Sequence, residues 1–160
     1  MTVIHKDNFL RRINTNVVAV IFCCLAIVLY SMLTWTFPAV YWYDAYIRLA
    51  LRDQILLGHW LPLIQILIVL VSKFTDDLLV LRTLLAVMAG CVLLYTFIFA
   101  RHIFSSWTAF IATILLATNL MFVALATVPY PEILFIGLLL LSLLIYWRTY
   151  HQASIFIGVC

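Results

Sequence analysis

Residues 17–37 form an apolar run of about 21 residues without a single charged side chain. As a helix, such a run rises about 31 Å, which matches the ~30 Å hydrocarbon core of a bilayer. Lipid offers a backbone no hydrogen-bond partners, so each amide must pair within the segment itself, and a run of this kind crosses as a helix. Further runs at 78–100, 107–127 and 131–147 have the same character. The whole chain is 68% hydrophobic and 9% charged, whereas soluble domains carry about 25% charged residues. The fold class expected is therefore all-α, a polytopic transmembrane helix bundle.

The basic residues Lys6, Arg11 and Arg12 ahead of the first run resemble the start of a signal peptide. The run is longer than the usual ~7–15-residue apolar region, and no small-residue cleavage pattern follows, so it is read as an uncleaved first span. The formal net charge of +3 is too small to suggest nucleic-acid binding. Cys23, Cys24 and Cys91 lie within apolar runs and Cys160 ends the chain, a spacing that matches neither a disulfide framework nor a metal site. A last apolar run opens at Ala153 and stops at Cys160. That gives the expectation of a single transmembrane domain over residues 1–160, forming the N-terminal part of a larger protein or a truncated gene product.

The short run 61–72 decides the topology. Apolar runs of ~10–14 residues are more often interfacial or re-entrant than spanning. If this one does not cross, Lys6, Arg11, Arg12, Arg101 and Arg148 all lie on one side, where the only acid is Asp7. The other side then holds Asp44, Asp53, Asp76, Asp77 and Glu132, with Arg48, Arg52, Lys73 and Arg82. The positive-inside rule favours this arrangement, with a cytoplasmic N-terminus and residues 38–77 forming one long outer loop.

Within that loop, Asp44, Arg48 and Arg52 are spaced four residues apart, on one face of a helix. Trp35, Tyr41, Trp42, Tyr43 and Trp60 are the aromatic types found at headgroup depth. The stretch reads as a helix lying on the membrane surface with a polar stripe. Glu132 opens the fourth span on the same side, where it complements the helix dipole or marks a site. Arg82 stands a turn inside the second span, where it snorkels to the interface or pairs with Asp76, Asp77 or an anionic headgroup.

Taken together, "YWYDAY", "GHWLPLIQIL", Arg82 and "TVPYPEILF" resemble the N-terminal half of the membrane glycosyltransferases of the GT-C fold, in particular the protein O-mannosyltransferase and aminoarabinose transferase group. Asp44 falls at that group's acidic motif, Pro62 at its Pro-Leu element, Arg82 at its helix-opening arginine and Glu132 at its second acid. The chain departs from the pattern in having Ala45 where many members have Glu, and Leu61 where a second proline is common.

The resemblance implies transfer of a sugar from a polyprenyl-phosphate donor to an acceptor outside the cytoplasm of a bacterial inner membrane. Asp44 would be the catalytic base for a weak hydroxyl nucleophile. Arg82 and Arg48 would hold the lipid phosphate, whose geometry suits guanidinium. Glu132 would position the acceptor or a divalent metal, and no cofactor is otherwise specified. The partners expected are the polyprenyl-phosphate sugar and membrane lipids, not nucleic acid. The alternative is a non-catalytic small helical membrane protein, whose acids set topology or gating.

Overall fold

The computed structural model describes residues 3–37, 47, 50–51, 62–75 and 77–157. These form six principal helices and, among the described residues, no strand: α1 (Val3–Thr36), α2 (Pro62–Ser72), α3 (Leu78–Ile103), α4 (Ser106–Thr118), α5 (Leu120–Thr127) and α6 (Pro131–Ile157). Segments Thr15–Thr36, Leu78–Ile103 and Pro131–Tyr150 are each long and apolar enough to cross a membrane, and α4 with α5 makes a further bent span. The protein is a helical membrane protein. The basic stretch before Thr15 is helical too, so α1 runs on beyond its apolar part.

Local chemistry sets the helix starts. Asp77 caps α3, its carboxylate accepting from the Leu79 amide at 2.8 Å, and Ser105 caps α4, accepting from the Thr108 amide at 3.2 Å. These caps satisfy amides that have no partner within the helix. Pro131 opens α6, where its missing N–H loses nothing.

The run 107–127, continuous in sequence, is two helices bent by 65°. The break falls at Asn119. Its side-chain oxygen accepts from the amides of Met121 (2.9 Å) and Phe122 (3.2 Å), starting a new helix. Those bonds take the Met121 amide away from the Ala117 carbonyl four residues earlier. The Tyr30 hydroxyl of α1 donates to that carbonyl instead, at 2.7 Å. Tyr30 is fully enclosed, with its ring edge-on to Phe122 at 6.3 Å. A break inside an apolar span is tolerated because a neighbouring helix supplies the missing hydrogen bond.

Helix α3 is the centre of the bundle and touches every other helix. Its buried side, Ala86, Ala89, Gly90, Val92 and Leu93, meets Cys23, Ala26 and Tyr30 of α1. A Cβ at Gly90 would overlap the Ile27 side chain. Without hydrophobic attraction between helices in lipid, small residues that allow close approach hold such an interface together.

Contacts along the seams fix the directions. Phe37 meets Arg82 and Asn16 meets Arg101, so α1 and α3 are antiparallel. Phe22 packs on Phe110, Tyr30 on Ala117, and Arg82 on Thr127, so α4 and α5 run alongside α1. Gly137 lies against Val92 and His102 against Trp147, so α6 is parallel to α3. One end of the bundle thus gathers the C-termini of α1 and α5 with the N-termini of α3 and α6. The other end gathers Asn16, Arg101, His102 and Arg148.

Helix α2 belongs to the first of these ends. Ile64 and Ile68 pack against Leu81 and Leu85 of α3, with Leu134 of α6 alongside. Because α1 ends where α3 begins, the chain between Phe37 and Asp77 leaves and returns at the same end of the bundle. The 11 residues of α2 rise about 16 Å, half of a hydrocarbon core.

Candidate functional site

The charged residues singled out in the sequence do not form one cluster among the described residues. Asp44 and Arg48 lie outside the described residues, as do Asp53 and Asp76. Arg82 and Glu132 are both described, and both stand at the end of the bundle where α1 and α5 finish.

Arg82 is 2% exposed, although it lies only four residues inside α3. Its Nε donates to the Thr127 carbonyl at 2.7 Å and an Nη donates to the Phe37 carbonyl at 2.9 Å. Both carbonyls belong to helix ends, that of Thr127 to the last turn of α5 and that of Phe37 to the residue after α1. Such terminal carbonyls have no amide ahead of them in their own helix. They also carry the negative end of the helix dipole, which attracts a cation. One guanidinium therefore caps two helices at once, a task suited to its planar fork of N–H donors. Of the two readings the sequence offers, snorkelling or pairing with Asp76, Asp77 or a headgroup, the burial of Arg82 disfavours the first; Asp76 lies outside the described residues, and the Asp77 carboxylate caps α3.

Glu132 occupies the first turn of α6 and is exposed. Among the described residues it has neither a hydrogen-bond nor an ion-pair partner, and no direct bond joins it to Arg82. Its neighbour Ile133 is fully buried in the core shared with Ala86 and Ala89. The backbone at this position is thereby fixed while the carboxylate faces outward. Among the described residues, no group of three or more His, Cys, Asp or Glu side chains could hold a metal ion.

Sequence reasoning missed three polar contributors to this end, Gln65 and the carbonyls of Phe37 and Thr127. Gln65, 1% exposed, reaches from α2 to the Leu51 carbonyl at 2.9 Å, tying Leu51 to the short helix. A glutamine inside "LPLIQILIVLVS" was the available signal, since an amide in an apolar helix requires partners. The backbone carbonyls of Phe37 and Thr127 leave no trace in side-chain types and could not be found that way.

The opposite end is basic. Arg101 donates to the Asn16 side chain and lies over the Phe97 ring at 5.6 Å. His102 lies 6.1 Å from the Trp147 ring, beside the exposed Arg148.

Comparison of the chain with protein-family models, with curated proteins and with solved structures finds no match.

Proposed function

We propose that this chain is part of a membrane transferase that moves a sugar from a polyprenyl-phosphate carrier to a lipid, glycan or protein acceptor outside the cytoplasm. The observation that supports this is the separation of charge along the bundle. Arg82 and Glu132 stand at one end, and Arg101, His102 and Arg148 at the other. The positive-inside rule then orients the N-terminus to the cytoplasm, of a bacterial inner membrane in this reading, and Arg82 to the outer face. A lipid phosphate lies at headgroup depth, and Arg82 is about 6 Å from the start of its helix, a compatible depth. In this scheme Asp44 is the general base and Arg48 and Arg82 neutralise the departing lipid phosphate. Glu132 orients the acceptor or a divalent metal.

A second reading, a non-catalytic helical membrane protein, is favoured by the two carbonyls that Arg82 caps. A guanidinium that joins two helix ends has a structural role at this end of the bundle. The two readings part on the phosphate. The purified chain in phosphatidylcholine nanodiscs is titrated with a polyprenyl phosphate and with the polyprenol of equal length. The transferase reading expects the phosphate to bind about tenfold tighter or more, the worth of one charge-assisted hydrogen bond. That margin should shrink in Arg48→Gln, a substitution that leaves the Arg82 cap intact. Equal binding of phosphate and alcohol would leave the non-catalytic reading standing.

A further inference from the structure

The seam between α3 and α6 has three features that no part of the proposed transfer reaction uses. First, a lateral groove of about 220 Å³ opens between the two helices, lined by Met88, Cys91, Tyr95, Leu134, Gly137 and Leu141 among others. Gly137 is what allows it: a Cβ there would stand 3.3 Å from the Val92 Cγ2, so any larger residue would crowd the floor. Second, the seam ends in the exposed Arg148 and His102, with the Trp147 ring 6.1 Å from that of His102. Third, α3 carries no acid anywhere and the only acid of α6 is Glu132 at its far end. At the basic end of the seam, α3 and α6 thus offer donors and positive charge, and neither helix places a carboxylate there.

The lengths agree with one leaflet. Gly137 precedes Arg148 by eleven residues, about 16 Å along the helix. Half of a ~30 Å hydrocarbon core is about 15 Å. A chain whose headgroup rests at Arg148 therefore ends close to Gly137. Because α3 and α6 are parallel, the groove and the basic end lie along a single straight seam.

We infer that the α3–α6 seam seats one anionic phospholipid, its phosphate at Arg148 and His102 and an acyl chain in the groove over Gly137. The occupant is a lipid of the leaflet at the basic end, and so distinct from any donor bound at the Arg82 end. Charge complementarity and leaflet-deep reach argue for it. Tryptophan beside arginine at headgroup depth is also the usual composition of such a boundary.

The test uses the whole chain in phosphatidylcholine proteoliposomes and the electron-spin spectra of spin-labelled phosphatidylglycerol and phosphatidylcholine. The motionally restricted component should favour phosphatidylglycerol by about fivefold, the effect of roughly one surface cation on an anionic lipid. Arg148→Gln, an exposed substitution that leaves helix packing alone, should bring the ratio close to one. Gly137→Leu should remove about one restricted phosphatidylglycerol per chain. Should that variant not fold, Arg148→Gln decides alone.

A parent ratio near one would overturn the inference. So would a ratio that survives Arg148→Gln but disappears when Lys6, Arg11 and Arg12 are all changed to Gln, because the selectivity would then belong to the α1 extension. Concentration-dependent oligomers with an unaltered lipid ratio would also overturn it, since a protein helix would then occupy the seam.

Discussion

Arg82→Met replaces the guanidinium by an unbranched apolar side chain and tests whether Arg82 holds the end of the bundle together. Two carbonyls, of Phe37 and Thr127, lose donors at 2.9 and 2.7 Å. A fully buried carbonyl left without a partner costs about 1–3 kcal/mol; both bonds here are part-buried, so the pair is placed at about 2–4 kcal/mol. Part of this is offset, because the variant no longer has to bury a charge. The expected net loss is about 1–3 kcal/mol. Arg82→Lys keeps the charge but not the planar fork, so it should fall between the parent and Arg82→Met. The assay is reversible unfolding of the purified chain in mixed micelles, read as helical signal against the mole fraction of denaturing detergent. Proteolysis in the native state gives a second measure. Cleavage near Phe37 and Thr127 should rise in Arg82→Met while the basic end stays protected. If Arg82→Met unfolds within about 0.5 kcal/mol of the parent, the capping account is wrong, and burial of Arg82 must be explained through another partner.

Three further outcomes follow from the same packing. Tyr30→Phe removes the donor to the Ala117 carbonyl and should cost about 0.6–1.7 kcal/mol, the range measured for hydrogen bonds between membrane helices; the same unfolding titration reads it, and a silent substitution would mean that the break at Asn119 needs no outside donor. Gly90→Val forces side-chain atoms into Ile27 and should cost about 1–3 kcal/mol, with partial recovery in the double variant carrying Ile27→Ala. In a cysteine-free background, Lys73→Cys and Phe104→Cys, both at exposed positions, should react with an impermeant thiol reagent from opposite sides of the membrane; labelling from the same side would contradict the helix directions described above.

How much of this was legible in the sequence can be judged from single elements. Apolar runs at 17–37, 78–100 and 131–147 disclosed three of the helices, which the structure bounds as Val3–Thr36, Leu78–Ile103 and Pro131–Ile157. In lipid, a backbone can satisfy its hydrogen bonds only within its own helix, so length and composition suffice. Asp77 and Pro131 act as starting signals within one turn of α3 and α6. The run 107–127 looked unbroken because one asparagine in a mostly apolar run of 21 residues is a weak local signal. Its effect depends on the Tyr30 hydroxyl, 87 residues away in the chain. The candidate site was only partly legible. Arg82 and Glu132 could be noticed as charges out of place, but residue type does not reveal what faces a charge. That Arg82 meets two helix ends was decided by the antiparallel packing of α3 against α1 and α5, which brings the carbonyls of Phe37 and Thr127 to one guanidinium. The placement of α2 was decided in the same way. Its 11 residues permit several arrangements, and the contact of Ile64 and Ile68 with Leu81, Leu85 and Leu134 selects one. What the sequence determined by itself is what each segment must do in lipid, because that depends on the segment alone. The tertiary structure decided which orphaned polar groups meet, because those bonds join residues that only packing brings together.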